Sequence, residues 1–213
     1  MRRLTTILFI TITTICSGQQ TSKFADSIRK AYKIPELSYA VVTEKSIMEI
    51  QAHGLHSITL NDLATLNDRF HIGSNTKAMT AFVIAKYVEK EKLKWTTKFF
   101  DIFPDWKETS KVDYYNITLE DLLSHRAQIQ AFRDENDPII LDFKGTKQGQ
   151  RKQFGKFVLT LNPLEIDSTH KFNYSNAGYT LATLMLEEVT QKSWEQLVEK
   201  VFNKELKLNV KFS

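Results

Sequence analysis

Ser74 and Lys77 stand three residues apart in FHIGSNTKAMTAF (70–82), where a glycine leads into a run rich in apolar residues. At i and i+3 of a helix the two side chains share a face, so the lysine nitrogen can reach the hydroxyl. A serine is a weak nucleophile until a neighbour takes its proton. A lysine in apolar surroundings with no acid at i±4 suits that duty, and Gly73 and Ala81 occupy those positions. Free N–H groups and the dipole at a helix N-terminus favour negative charge developing there, and the Ser74 N–H can stabilise an oxyanion. The same spacing fits a plainer reading, in which Ser74 caps the helix and Lys77 runs out to solvent. On these residues alone the two readings are level.

Ser-x-x-Lys is a pattern that arises by chance. It occurs at Ser27/Lys30, Ser74/Lys77 and Ser168/Lys171, and context separates the three. Ser27 and Lys30 fall on an amphipathic surface helix, and Ser168 and Lys171 in polar loop sequence. Only Ser74 opens an apolar helix. A second stretch, FNYSNAGY (172–179), sets Tyr174 and Asn176 before another apolar helix. A phenol held near a cation can lose or relay a proton, and an amide beside it can bind a carbonyl. Tyr-x-Asn recurs at Tyr114–Asn116, and a turn built on Asn176 and Gly178 explains the same residues.

The elements that must position these groups read as α+β. Residues 22–33 place Phe24, Ile28 and Tyr32 on one helical stripe. Leu37–Val42 and Ile47–Gln51 are β-rich runs around a polar turn at Glu44–Lys45, which predicts a hairpin. A helix is expected from Asn75 to about Leu93, apolar from Ala78 to Ala85 and charged in its last turns. ITLEDLLSH (117–125) opens a helix with Thr118 as N-cap and acids in the first turn. Residues 134–155 read as a polar loop or insertion, and 177–202 as two consecutive helices.

Hydrophobic residues make up 42% and charged residues 25% of the 213, which places the chain among globular proteins rather than disordered ones. Residues 1–18 have two arginines, an apolar stretch from Leu4 to Ile15, then small residues at Cys16 and Gly18. That pattern is a secretory signal peptide, with cleavage expected after Gly18 and the mature chain in the periplasm or outside the cell. Lipid attachment at Cys16 fits less well, because Thr13 and Ile15 flank it poorly. The net charge of +4 includes Arg2 and Arg3 of that segment, so nothing electrostatic argues for nucleic acid. Cys16 is the single cysteine, so the mature chain needs no thiol chemistry. The histidines (His53, His56, His71, His125, His170) have no metal-ligand spacing and read as surface or packing residues, as do Trp95, Trp106 and Trp194 for packing. Neither metal nor cofactor is expected, and no stable membrane span once the leader is removed.

The segments FHIGSNTKAMTAFVIAKYVEKEKL, ITLEDLLSH and FNYSNAGYTLATLMLEEVTQKSWEQLVEKVF, in this order and spacing, resemble the serine β-lactamase-related hydrolases: class C β-lactamases, D-alanyl-D-alanine carboxypeptidases and related esterases. The resemblance runs from about Ile34 onward. It implies a β-lactamase/transpeptidase-like fold and an acyl-enzyme formed on Ser74. Lys77 and Tyr174 would share general-base duty and Asn176 would bind the substrate amide. Expected substrates are small molecules or peptides: D-amino acid peptides, β-lactams or small esters. Two features depart from the family pattern. Arg126-Ala127-Gln128-Ile129 stands where many relatives have Thr-Ser-Gly-Leu, and no glycine follows Gly178, so the late strand with Lys-Thr-Gly or His-x-Gly has no counterpart. Lys144-Gly145-Thr146 precedes Tyr174 and is no substitute. Residues 19–213 therefore read as the N-terminal portion of such a domain, without its later sheet strands. The alternative is an inactive remnant or fragment that at most binds.

Overall fold

A computed structural model describes residues 20–133, 142–165 and 172–212. The expected leader (1–18), Ser168, Lys171 and His170 lie outside the described residues. The chain forms two compact units, Met1–His71 and Ile72–Ser213.

In the first unit, helix α1 covers residues 20–31. Strands β1 (Glu36–Val42) and β2 (Ile47–Gly54) pair antiparallel, from Glu36 opposite Gly54 to Val41 opposite Glu49, with an irregularity at Val42. The hairpin is as the alternating β-rich runs predict, and Thr43 and Ser46 close its turn. The α1 stripe departs from expectation. Phe24 is 66% and Tyr32 74% exposed, so this unit does not bury them. Ser27 donates to the Phe24 carbonyl and Lys30 pairs with Asp26, which leaves that Ser-x-x-Lys pair with surface roles.

The second unit is helical and is built around α6 (Asn176–Thr190). Its sequence is apolar on nearly every face, and Leu181, Leu184, Met185 and Leu186 are all fully buried. Each such side chain contributes about 1.5–3 kcal/mol by leaving water. Around it lie α2 (Asn75–Glu89), α3 (Phe99–Ile102), α4 (Leu119–Leu123), α5 (Lys147–Thr160) and α7 (Trp194–Val198), the last running into a π-helical turn over Glu199–Glu205. Helix α4 starts as predicted: Thr118 accepts the Asp121 N–H and Asp121 accepts the Thr118 N–H, a reciprocal cap.

Three expectations are corrected. Helix α5 occupies much of the stretch read as loop. Gly149 and Gly155 break its apolar pattern, yet Thr146 caps it and Val158 and Leu159 are buried. Gly155 is there because a Cβ would meet Leu184 at 2.6 Å. Helix α2 stops at Glu89, where the chain reverses through Glu91 at φ 56°. Only Thr80, Val83 and Ile84 of α2 are buried, while Phe82 remains 45% exposed, so the helix has one buried face and not an apolar girdle. Among the tryptophans, Trp106 packs against Phe103 with the rings tilted and Trp194 donates to Thr80, but Trp95 is 41% exposed.

An ion cluster ties three helices together. Glu187 of α6 is fully buried and accepts Arg151 of α5 at 2.6 Å and the Trp194 N–H of α7 at 2.7 Å. Arg151 also pairs with Glu195 at 2.8 Å. Removing the cation leaves Glu187 charged and under-partnered in a place water does not reach. Arg151→Met should therefore cost about 3–5 kcal/mol, read as a lowered midpoint in urea unfolding followed by circular dichroism.

After α4, three non-glycine residues hold positive φ: His125 (61°), Gln128 (56°) and Phe132 (47°). Gln128 stands where the family resemblance leads one to expect glycine. The loop thus keeps a backbone that glycine adopts freely, at a cost of about 1 kcal/mol for the side chain. Its carbonyl is held by the Leu164 N–H at 2.9 Å. Gln128→Gly should stabilise the chain by up to about 1 kcal/mol, seen as a higher Tm with the far-UV spectrum unchanged.

Candidate active site

Gly73 has φ 50° and turns the chain into α2. Ser74 follows with φ −68° and ψ −7°, already helical, and its side chain makes no cap bond. A capping serine needs an extended backbone to swing its oxygen over the first turn, so the capping reading fails on geometry. The first N–H groups are satisfied otherwise: those of Asn75, Thr76 and Lys77 donate to the carbonyls of Ile72, Gly73 and Ser74. This leaves the Ser74 hydroxyl for other partners.

Those partners come from both ends of the unit's sequence. Lys77 Nζ donates to Ser74 Oγ at 3.2 Å, and the Tyr174 hydroxyl donates to the same oxygen at 2.7 Å. Lys77 Nζ also donates to Asn176 Oδ1 at 2.6 Å and lies over the Tyr174 ring, 4.7 Å from its centroid. The lysine does not run out to solvent. It is half-buried, and its partners are a hydroxyl, an amide oxygen and π faces. Among the described residues no carboxylate pairs with it. Ser74 itself is exposed. All four residues singled out by sequence are brought together, whereas Tyr114 and Asn116, the other Tyr-x-Asn, are not part of the cluster. The Tyr114 hydroxyl is buried in the core without a partner, burial pushing its pKa up to about 12, and Asn116 binds Lys98.

A loop of backbone carbonyls explains why Tyr174 and Asn176 sit where they do. The His125 carbonyl accepts the Asn173 N–H at 2.8 Å, and that of Ala131 accepts the Asn176 N–H at 2.8 Å. Ser175 Oγ donates to Gln130 O at 2.8 Å and in turn accepts the Gly178 N–H, so it both caps α6 and anchors the loop. Asn176 Nδ2 donates to Phe132 O at 2.5 Å, which fixes the amide with its oxygen toward Lys77. Arg133 holds the Tyr174 carbonyl and Asn173 Oδ1.

His125 is the site residue that sequence reasoning left as packing. Its Nδ1 accepts the Ser175 N–H at 3.1 Å, and its ring lies 4.5 Å from that of Tyr174. The signal was present in the LLSH end of ITLEDLLSH, but no spacing ties it to Tyr174. Burial, and then the Lys77 charge, keep its pKa below the usual histidine value. The Tyr174 phenol is held below its ordinary value by Lys77 and then by Ser74, whereas burial and then the charge of Tyr174 raise Tyr179. The site thus eases loss of the Tyr174 proton and resists loss of the Tyr179 proton. No group of His, Cys, Asp or Glu suited to a metal occurs among the described residues. No helix there is long and apolar enough to cross a membrane.

The Beta-lactamase family model matches residues 21–209. Protein flp of Staphylococcus aureus (strain N315) is 22% identical over 182 residues, covering 85% of this chain and 35% of that protein. Unguisins hydrolase ungD' of Aspergillus campestris is 27% identical over 179 residues, covering 79% and 32%. The chain spans about a third of the length of these curated relatives. Among solved structures, the D-amino acid amidase of Ochrobactrum anthropi SV3 superposes with a TM-score of 0.67 at 20% identity, over 85% of this chain and 49% of that one. With a family model covering both units and the same fold in that amidase, the chain belongs to the Beta-lactamase family.

Proposed function

We propose that this chain carries the nucleophile half of an exported serine hydrolase, with Ser74 forming an acyl-enzyme. One observation carries the reading: a serine hydroxyl that caps nothing receives both Lys77 Nζ and the Tyr174 hydroxyl. Ser74 Oγ attacks the substrate carbonyl carbon, and its proton passes to the Tyr174 oxygen or to Lys77 Nζ, whichever is unprotonated. The bond to the leaving group breaks as that group takes the proton back. Water then attacks the acyl ester by the reverse relay and frees Ser74. Asn176 holds Lys77 in register. One of its two Nδ2 protons goes to Phe132, leaving the second for a substrate amide carbonyl.

Small esters and amides, including D-amino acid peptides and β-lactams, are the proposed substrates. A relative named as a hydrolase and a fold shared with a D-amino acid amidase support that class. Mature protein starting at Gln19 and lying outside the cytoplasm is part of the same proposal. A second reading, a binding module without turnover, is favoured by the exposure of Ser74, since open sites weaken electrostatic stabilisation. Slow turnover by the chain on its own is accordingly expected.

The two readings part in a labelling experiment on the whole chain with a fluorescent fluorophosphonate. Ser74→Ala should abolish labelling and Ser27→Ala should leave it unchanged. Lys77→Ala and Tyr174→Phe should each slow it by about 10²–10⁴-fold. Because the phenolate is the basic form, the wild-type rate should rise with pH, with its midpoint below the ordinary tyrosine pKa. A wild-type chain that takes no probe yet binds a penicillin reversibly would favour the binding module.

A further inference from the structure

Resting on the reading of Ser74 as nucleophile, we propose that His125 is a positioning residue for Tyr174 and Asn176, and that it works only as the neutral tautomer protonated at Nε2. Two contacts from one residue hold the segment that presents those side chains. The His125 carbonyl takes the Asn173 N–H and its Nδ1 takes the Ser175 N–H, so the backbone on both sides of Tyr174 is bound. The ring then lies against Tyr174 itself, at 4.5 Å and 36° between planes, and against Tyr179 at 5.2 Å and 37°. Phe172 closes a third side edge-on at 5.7 Å. A left-handed backbone at φ 61° aims both the carbonyl and the ring at this segment.

The tautomer follows from the donor. A backbone N–H can only donate, so Nδ1 must be bare and the single proton of the neutral ring sits on Nε2. A second proton has to go to Nδ1. It would face the Ser175 N–H, break that bond and release the Ser175 end of the segment. The groups that meet the ring are Lys77 from α2, and Tyr174 and Tyr179 on either side of the α6 cap. None of them is a carboxylate, and the ammonium repels an imidazolium. Burial acts in the same direction. The sign is therefore fixed. The neutral ring and the assembled site persist down to a pH below the ordinary histidine value, and are lost as pH falls through the lowered pKa. A misplacement of about 1 Å at Tyr174 costs on the order of 10²-fold in rate, so the loss is visible in acylation even where the fold survives.

The test measures Ser74 labelling by a fluorophosphonate from about pH 5 to about pH 8 in the whole chain, its His125→Phe variant and its His125→Asn variant. Phenylalanine keeps the ring and loses the acceptor. Asparagine supplies an acceptor one atom from Cγ, tolerates positive φ, and does not titrate. In the wild type, labelling should steepen by about a further tenfold per pH unit below the lowered histidine pKa, beyond the slope set by the Ser74 base. His125→Phe should slow labelling by about 10²-fold across the range. His125→Asn should recover about tenfold of that loss and keep only the slope of the base, without the added steepening. An unchanged rate in His125→Phe, or the wild-type steepening surviving in His125→Asn, overturns the proposal while leaving Ser74 as the nucleophile. Should His125→Phe fail to fold, the loss or survival of the steepening in His125→Asn decides. Should the wild-type serine take no probe, the nucleophile reading fails instead. Nitrogen-15 spectra of the histidine-labelled chain then judge His125: a bare Nδ1 and protonated Nε2 support its tautomer, and the opposite pattern overturns it.

Discussion

The hydrogen bond from Lys77 Nζ to Asn176 Oδ1 joins residues 99 apart, and the candidate site exists because it forms. It links the first turn of α2 to the first turn of α6. A half-buried ammonium with only neutral acceptors has few places to go, since each partner it loses leaves a charge poorly solvated. Ser74 Oγ, Asn176 Oδ1 and the Tyr174 ring together replace its water, and in doing so they fix the distances on which the proposed acyl chemistry depends. No carboxylate among the described residues neutralises it. Its field thus stays directed at the serine oxygen and at the Tyr174 phenol, whose pKa it lowers.

Helix α6 makes that link possible. It is the centre of the second unit, buried along most of its length, and its N-terminus is held by Ser175 as cap and by the loop over residues 125–133 as cradle. The Arg151–Glu187–Glu195 cluster works at the other end, clamping α5 and α7 onto α6. A rigid helix with both ends tied can carry a chemically loaded first turn without letting it fray. Gln128 and His125 show where strain is accepted to build the cradle, in left-handed backbone that glycine would adopt without cost.

Much of this was legible in the residues. Ser74, Lys77, Tyr174 and Asn176 stood out by type, spacing and the apolar helices behind them, but a cap and a turn fitted the same residues, and their roles came from the resemblance to the serine β-lactamase-related hydrolases. The hairpin, the Thr118 cap and the paired helices after Asn176 followed from local periodicity and capping chemistry. Helix α5 was not legible, because two glycines and a polar N-terminal half mask a face that only Leu184 and its neighbours explain. The exposed side of α2 was hidden for the opposite reason. Local apolarity says that a surface is suited to burial, not that anything in the same unit buries it. His125 escaped because its role is a backbone N–H reached across a turn, and tertiary bonds of that kind leave no period in sequence. The cap-or-nucleophile ambiguity at Ser74 also needed coordinates, since it turns on the φ and ψ of one residue.

Mass spectrometry of the adduct formed with an activated acyl donor tests the central claim most directly. The whole chain is incubated with the donor, quenched in acid and digested, and the modified peptide is sequenced. A single acyl group on the hydroxyl of Ser74, absent from the Lys77→Ala chain over the same interval, is the predicted result. An acyl group found instead on Lys77 Nζ, on another serine, or equally on Ser74 with and without Lys77, would contradict the account.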